Sequence, residues 1–261
     1  MFRIVIPARF GSTRLPGKLL ELVGPESARK PVLQWVYEAG IASGAAEVIV
    51  ATDDDRILDA ARGFGADARM TSLTHPSGTD RIAEVAVSAG WEDDDVVVNL
   101  QGDEPLMPPQ LVGQVAELLQ RHAGAAIATL ATRITSVAEL LDPGIVKVVT
   151  DQGGRALYFS RAPIPWGRDT ARSSIATQRS FAGARRHVGL YAYRVSALRR
   201  LSMLQPTQLE QIERLEQLRA LEHGLEIRVE DALCLPGPHV DTPEDLVLVN
   251  MEMNRAEAPS T

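Results

Sequence analysis

The chain has 261 residues, 45% of them apolar and 23% charged, and a formal net charge of −7; that suffices for one sizeable α/β core and argues against sequence-independent nucleic-acid binding, which needs surface lysine and arginine against phosphates. Cys234 is the only cysteine, which excludes an internal disulfide framework and a cysteine-rich metal site and leads us to expect a reducing, cytoplasmic setting. No apolar run approaches the roughly 18 residues of a membrane span, and the N-terminus lacks a secretory apolar stretch, so neither membrane insertion nor export is expected.

Taken in chain order, the first half predicts strands over residues 3–7, 47–52, 95–101 and 126–132. Each is a nearly continuous apolar run, as expected of strands covered on both faces. Helices are predicted over 31–43, 55–64, 78–89 and 109–122 from apolar residues at three- and four-residue spacing, with Pro31 and Pro109 as first-turn prolines. The alternation predicts a Rossmann-like α/β fold, a mostly parallel sheet between helices. In the second half, 146–150 and 156–160 flank Asp151-Gln152-Gly153-Gly154 and read as a hairpin, so a smaller antiparallel portion is expected. Residues 166–186 are polar and aperiodic, which predicts a loop. A strand over 187–194, a helix over 209–222, a strand over 226–230, a helix over 242–254 and a frayed end at 257–261 complete the reading. We expect one domain over 1–261, with a sub-domain over roughly 133–235.

The first strand runs into Ala8-Arg9-Phe10-Gly11-Ser12-Thr13-Arg14-Leu15-Pro16-Gly17-Lys18. α/β sheets bind ligands at the carboxyl ends of their strands. Glycines let backbone approach an anion there, and Arg9, Arg14 and Lys18 can neutralise phosphate oxygens. The segment reads as a polyphosphate cradle, with a solvated basic turn as the plain alternative. It is not a Walker loop, because five residues separate Gly11 from Gly17 and Leu19 stands where a hydroxyl residue belongs. The glycine fingerprint of a dinucleotide oxidoreductase is also missing after this strand.

Asp103, in the turn Gly102-Asp103-Glu104-Pro105, follows the third buried strand; Asp241 precedes a helix start with Thr242 as N-cap and Pro243 at the first position. Carboxylates so placed suit magnesium, commonly held by one or two acids plus substrate phosphates. Each also has a plain role, as a turn former or as an acid near a helix N-terminus. Ser77-Gly78-Thr79-Asp80-Arg81 opens a helix, and its N–H groups and hydroxyls suit a ligand edge, although capping explains the same residues. Arg81 reads as a phosphate or sugar contact or as a solvated helix arginine.

The sequence from Pro7 to Lys18 resembles the signature loop of the sugar-activating cytidylyltransferases, specifically the branch acting on 3-deoxy-D-manno-octulosonate (Kdo). Further blocks resemble that family in the right order: 51–54, 77–84, 98–105, 157–161, 187–191 and 240–245. Two stretches depart from its pattern, a longer 24–30 loop and the 166–186 segment. The resemblance implies a nucleotidyltransferase fold like that of nucleotide-diphospho-sugar transferases, a mixed sheet flanked by helices. It implies transfer of CMP from CTP to Kdo for lipopolysaccharide synthesis, release of pyrophosphate, Mg2+ as cofactor, and a homodimer. A related sugar acid, 8-amino-Kdo or sialic acid, is the alternative substrate. By resemblance the catalytic residues are Arg9, Lys18, Asp103 and Asp241, with Asp103 and Asp241 holding the metal. The same comparison gives Ala8, Arg9, Ser12, Arg14, Lys18, Thr52, Asp53, Ser77, Gly78, Thr79 and Arg81 to the nucleotide. It gives Gln101, Arg161, His187, Tyr191 and Glu210 to the sugar.

Overall fold

A computed structural model describes residues 1–12, 14–168 and 181–257; Thr13, much of the expected 166–186 loop and the 258–261 tail lie outside the described residues. The first half contains β1 (Arg3–Ala8), β2 (Leu22–Val23), β3 (Lys30–Pro31), α1 (Val32–Ala42), β4 (Glu47–Thr52), α2 (Asp55–Gly63) and β5 (Asp67–Met70). It continues with α3 (Gly78–Ser88), β6 (Val96–Asn99), α4 (Pro109–Arg121) and β7 (Ile127–Arg133). The second half contains α5 (Val137–Leu141), β8 (Lys147–Thr150), β9 (Ala156–Ser160), β10 (Arg185–Arg194), α6 (Val195–Met203), α7 (Gln208–Glu213), α8 (Gln217–Glu222), β11 (Ile227–Asp231) and α9 (Pro243–Glu257).

The apolar runs pair as their two-sided burial requires. In the main sheet the order is β11-β7-β10-β6-β1-β4-β5, with β8 and β9 attached through β10. β1 lies parallel to both β4 and β6. Successive β1 residues point to opposite faces: Ile4 and Ile6 pack with α1, α2, α4 and α9, while Val5 packs with α3, α6 and α8. Strands of both halves thus share one sheet, which is the expected mixed α/β architecture.

β10 reverses direction, antiparallel to β6 and β7. Tyr191 pairs with Asn99 at the carboxyl end of β6, so the earlier residues of β10 run out past that strand. Its ladder with β7 breaks between Val188 and Tyr191. The Thr129 hydroxyl fills the break, lying 3.0 and 2.8 Å from the carbonyls of Val188 and Leu190. The reversal carries β10 side chains onto the edge where the loops of β1 and β6 emerge.

Several expectations need correction. Pro31 is the cap residue before α1, whereas Pro109 does occupy the first turn of α4. The long 24–30 segment closes the β2–β3 pair through a 3-10 turn at Glu26–Ala28, and its last residue, Lys30, already pairs with Val23. β10 begins two residues before the expected strand, and β5, α5 and α6 were not foreseen. The helix expected over 209–222 is two helices, because Arg214 adopts a left-handed conformation with φ 55°. That conformation costs a non-glycine residue about 1–2 kcal/mol. It turns Leu215 into the core beside Leu218, and the apolar spacing, with neither Gly nor Pro at the break, reads straight through it.

Candidate active site

The carboxyl ends of β1 and β6 and the N-terminus of α3 enclose a cleft of about 400 Å³. Arg9, Ser12, Arg14 and Lys18 line it from the first loop, Ser77 and Gly78 from α3, and Gln101 and Asp103 from beyond β6. The two strand ends lie so close that a Cβ on Gly102 would stand 3.1 Å from the Pro7 carbonyl oxygen. The first loop curls on itself: the Phe10 carbonyl accepts the N–H groups of Ser12 and Gly17, each at 3.0 Å. Gly17 sits at φ 75°, against the Phe10 ring, where a side chain would be both strained and crowded.

Lys18 is the electrostatic centre of the cleft. Its Nζ donates to Asp103 Oδ2 at 2.6 Å and to Asp241 Oδ1 at 2.7 Å. Burial works to lower its pKa, but the charge of Asp103 and the bonds to both carboxylates prevail and hold the ammonium above its ordinary value. The second oxygen of Asp241 meets Arg14 at 2.9 Å and His239 at 3.7 Å. Backbone bonds fix this meeting: Val240 N–H donates to the Asp103 carbonyl at 2.8 Å. The Asp245 carboxylate then accepts the N–H groups of Asp241 and Thr242, each at 2.9 Å, and caps α9.

The two acids therefore converge on one cation-sized position from distant parts of the chain. Among the described residues no third acid, histidine or cysteine joins them. Asp103 lines the phosphate-sized cleft and Asp241 shares Lys18 with it; such a pair of carboxylate oxygens fits magnesium, which fills the rest of its shell with water and phosphate oxygen. Beside them the Glu104 carboxyl is pushed up to about 8 by burial and by the charge of Asp103.

Other expected nucleotide residues stand behind the cleft wall. Ala8 and Thr52 are fully buried. Arg81, expected as a phosphate or sugar contact or as a solvated residue, is instead fully buried and paired with Asp53 at 2.5 Å and with the Thr71 hydroxyl. An uncompensated buried guanidinium would be costly, so this pair braces the strand ends of β4 and β5 against α3. Sequence reasoning assigned nothing to His75, yet its carbonyl accepts Arg9 Nη2 at 2.6 Å.

A smaller cavity of about 140 Å³ opens behind Gln101 and Gly78, which line both spaces. Its walls are Thr79, Asn99, Tyr191, Tyr193, Glu216 and Gln217. Among the described residues, the buried Tyr191 hydroxyl has no hydrogen-bond partner. Burial raises the pKa of Glu216 despite its bond to Thr79, and it also raises that of Tyr193, held by Thr79 and Asn99. These hydroxyl, amide and carboxyl donors and acceptors suit a polyol. Asn99, Tyr193, Glu216 and Gln217 were missed from sequence; the available signal was polar residues at the end of an apolar strand and between Leu215 and Leu218.

The remaining expected sugar residues divide. His187 is half-buried, its ring 5.1 Å from those of Phe159 and Tyr191, and burial lowers its pKa to about 3, so the imidazole is neutral. It backs Tyr191 and does not line the cavity. The Arg161 side chain donates to the carbonyls of Glu213 and Pro143. Glu210 caps α7 and accepts two bonds from Arg219, at 2.5 and 2.8 Å. Glu210 lines a third space of about 700 Å³ that shares Ser77 with the main cleft and Glu216 with the small cavity.

The sequence matches the cytidylyltransferase family over residues 3–227. It is 55% identical over 245 residues to the 3-deoxy-manno-octulosonate cytidylyltransferase of Thioalkalivibrio sulfidiphilus, covering 94% of this chain and 96% of that one. The 3-deoxy-manno-octulosonate cytidylyltransferase of Halorhodospira halophila is 54% identical over 249 residues, 95% of each chain. A solved structure of CMP:2-keto-3-deoxy-manno-octonic acid synthetase complexed with CTP superposes with a TM-score of 0.86 at 41% identity, over 98% of this chain and 100% of that one.

Proposed function

The chain belongs to the cytidylyltransferase family, and from that premise we propose that it transfers CMP from CTP to Kdo and releases pyrophosphate. The observation that carries the chemistry is the convergence of Lys18, Asp103 and Asp241 beside Arg9 and Arg14, in a cleft that opens through Gln101 into a hydroxyl-lined cavity. Arg9, Arg14 and Lys18 receive the triphosphate, and the N-terminus of α3 at Ser77 and Gly78 faces the rest of the nucleotide. Gln101, Tyr191, Glu216 and Gln217 hold the sugar hydroxyls. A sugar hydroxyl attacks the α-phosphorus and gives its proton to solvent, a new P–O bond forms, and the bond to the departing pyrophosphate breaks. Positioning and charge stabilisation carry such a step.

Asp103 and Asp241 would hold magnesium, which supplies charge neutralisation at the phosphates. Lys18 then gives up the acids for phosphate oxygens, where it steadies the leaving group. A homodimer covers the outer edge of β9, which among the described residues pairs only with β8. Leu157 on that strand and Ile212 on α7 are 55% and 69% exposed, as surfaces awaiting a partner are; a monomer in sedimentation velocity would remove this reading. Free Cys234 suits a reducing cytoplasm.

The deciding experiment incubates the chain with CTP, UTP, ATP or GTP, magnesium, and Kdo, 8-amino-Kdo or sialic acid, and follows pyrophosphate release. CTP with Kdo is expected to react fastest. Faster release with another pair would replace this function.

A further inference from the structure

The turn between β5 and α3 supplies an acceptor to the cleft and is itself held from behind. Arg9 Nη2 donates to the His75 carbonyl at 2.6 Å. The direction of that carbonyl is constrained, because Pro76 follows and keeps His75 extended. The His75 ring meets the Glu84 carboxylate on α3, and the same Glu84 oxygen accepts the Ser72 N–H at 3.0 Å. One carboxylate therefore ties both ends of the 72–75 segment to the helix whose first turn, at Ser77 and Gly78, lines the cleft. The Glu84 carboxyl stays charged: burial would raise its pKa, but the Ser72 N–H, His75 and nearby Arg81 outweigh it and hold it below the ordinary carboxylate range.

We infer that His75 and Glu84 form a strut that positions Arg9 for the triphosphate. The inference rests on the reading of the cleft as a CTP site. Neither side chain needs to touch substrate. Glu84 fixes the ring, the ring and Pro76 fix the carbonyl, and the carbonyl aims the guanidinium. A carboxylate that merely stabilised the turn would change melting temperature without acting through Arg9, and that difference makes the inference testable.

The test is a double-mutant cycle in steady-state kinetics on the full chain, with Arg9→Ala, Glu84→Ala and the two combined. Arg9→Ala and Glu84→Ala are each expected to raise KM for CTP by about tenfold or more, since small misplacements of a positioning group are costly. KM for Kdo should stay within about twofold, and the double variant should be no worse than Arg9→Ala. Losses that add in the double variant overturn the strut, as does unaltered KM for CTP in Glu84→Ala. Should Glu84→Ala fail to fold, Glu84→Gln carries the same cycle, because it keeps an oxygen for the Ser72 N–H but loses the charge. Arg9→Ala with normal CTP kinetics also overturns the strut by removing what it positions. Failure of the transfer reading looks different: the unaltered chain would release no pyrophosphate from CTP and Kdo.

Discussion

On the triphosphate side of the cleft the protein places charge at the rim, with Arg14 64% exposed and one lysine shared by two carboxylates. On the sugar side it places a tyrosine hydroxyl with no partner among the described residues and a carboxyl whose pKa is raised by burial, backed by a histidine that stays uncharged. The contrast follows from the two ligands. A triphosphate arrives with its own charge, and until then Arg14 is largely solvated and the buried Lys18 is paired with two carboxylates, so little stability is given up while the cleft waits. Kdo brings one carboxylate but is otherwise a run of hydroxyls, and discriminating among those needs fixed, dry partners. A buried group left unpaired until then costs about 1–3 kcal/mol.

The sharpest way to break this comparison acts on the charged side. Asp103→Asn should leave the fold intact, since Lys18 keeps Asp241, yet lower CMP transfer by about a thousandfold or more, the scale of losing several kcal/mol of charge stabilisation. Lys18→Met should lower kcat by about a hundredfold and also tighten divalent-ion binding without nucleotide, because Asp103 and Asp241 then face each other with no ammonium between them. Titration with Mn2+ as a spectroscopic probe reads this directly. Weaker or unchanged Mn2+ binding in Lys18→Met would show that the two acids do not share one cation position. Neither substitution should alter KM for Kdo by more than about twofold if the two sides act separately.

The same contrast explains what was legible in the sequence. Arg9, Ser12, Arg14, Lys18, Gln101 and Asp103 sit in short contiguous stretches directly after strands, Ser77 and Gly78 open the helix that follows β5, and together they meet at one sheet edge. Periodicity sufficed for that, and for most of the first-half elements. Glu216 and Gln217 reach the small cavity only because Arg214 breaks α7 from α8 with a left-handed turn that leaves no trace in apolar spacing. Tyr193 and Asn99 reach it through the reversal of β10 beside β6, a long-range pairing that local patterns do not encode. Arg81 misled in the other direction: its place beside a ligand-like turn suggested a contact, while the fold used it against Asp53.

Tyr191→Phe gives the smallest and most specific effect. The Tyr191 hydroxyl is buried without a partner among the described residues, and its pKa is held well above the ordinary value by burial and by Tyr193 and Glu216, so it remains a neutral donor. Removing it takes nothing from the ligand-free fold and relieves an unpaired polar atom. The variant should melt at the same temperature as the unaltered chain or slightly above it. Its KM for Kdo should nevertheless rise about tenfold, the scale of one lost hydrogen bond in a dry site, with KM for CTP unchanged. A fall in melting temperature would mean that the hydroxyl has a structural partner. A normal KM for Kdo would mean that the small cavity is not where the sugar sits, and the division between a charged rim and a neutral interior would lose its second half.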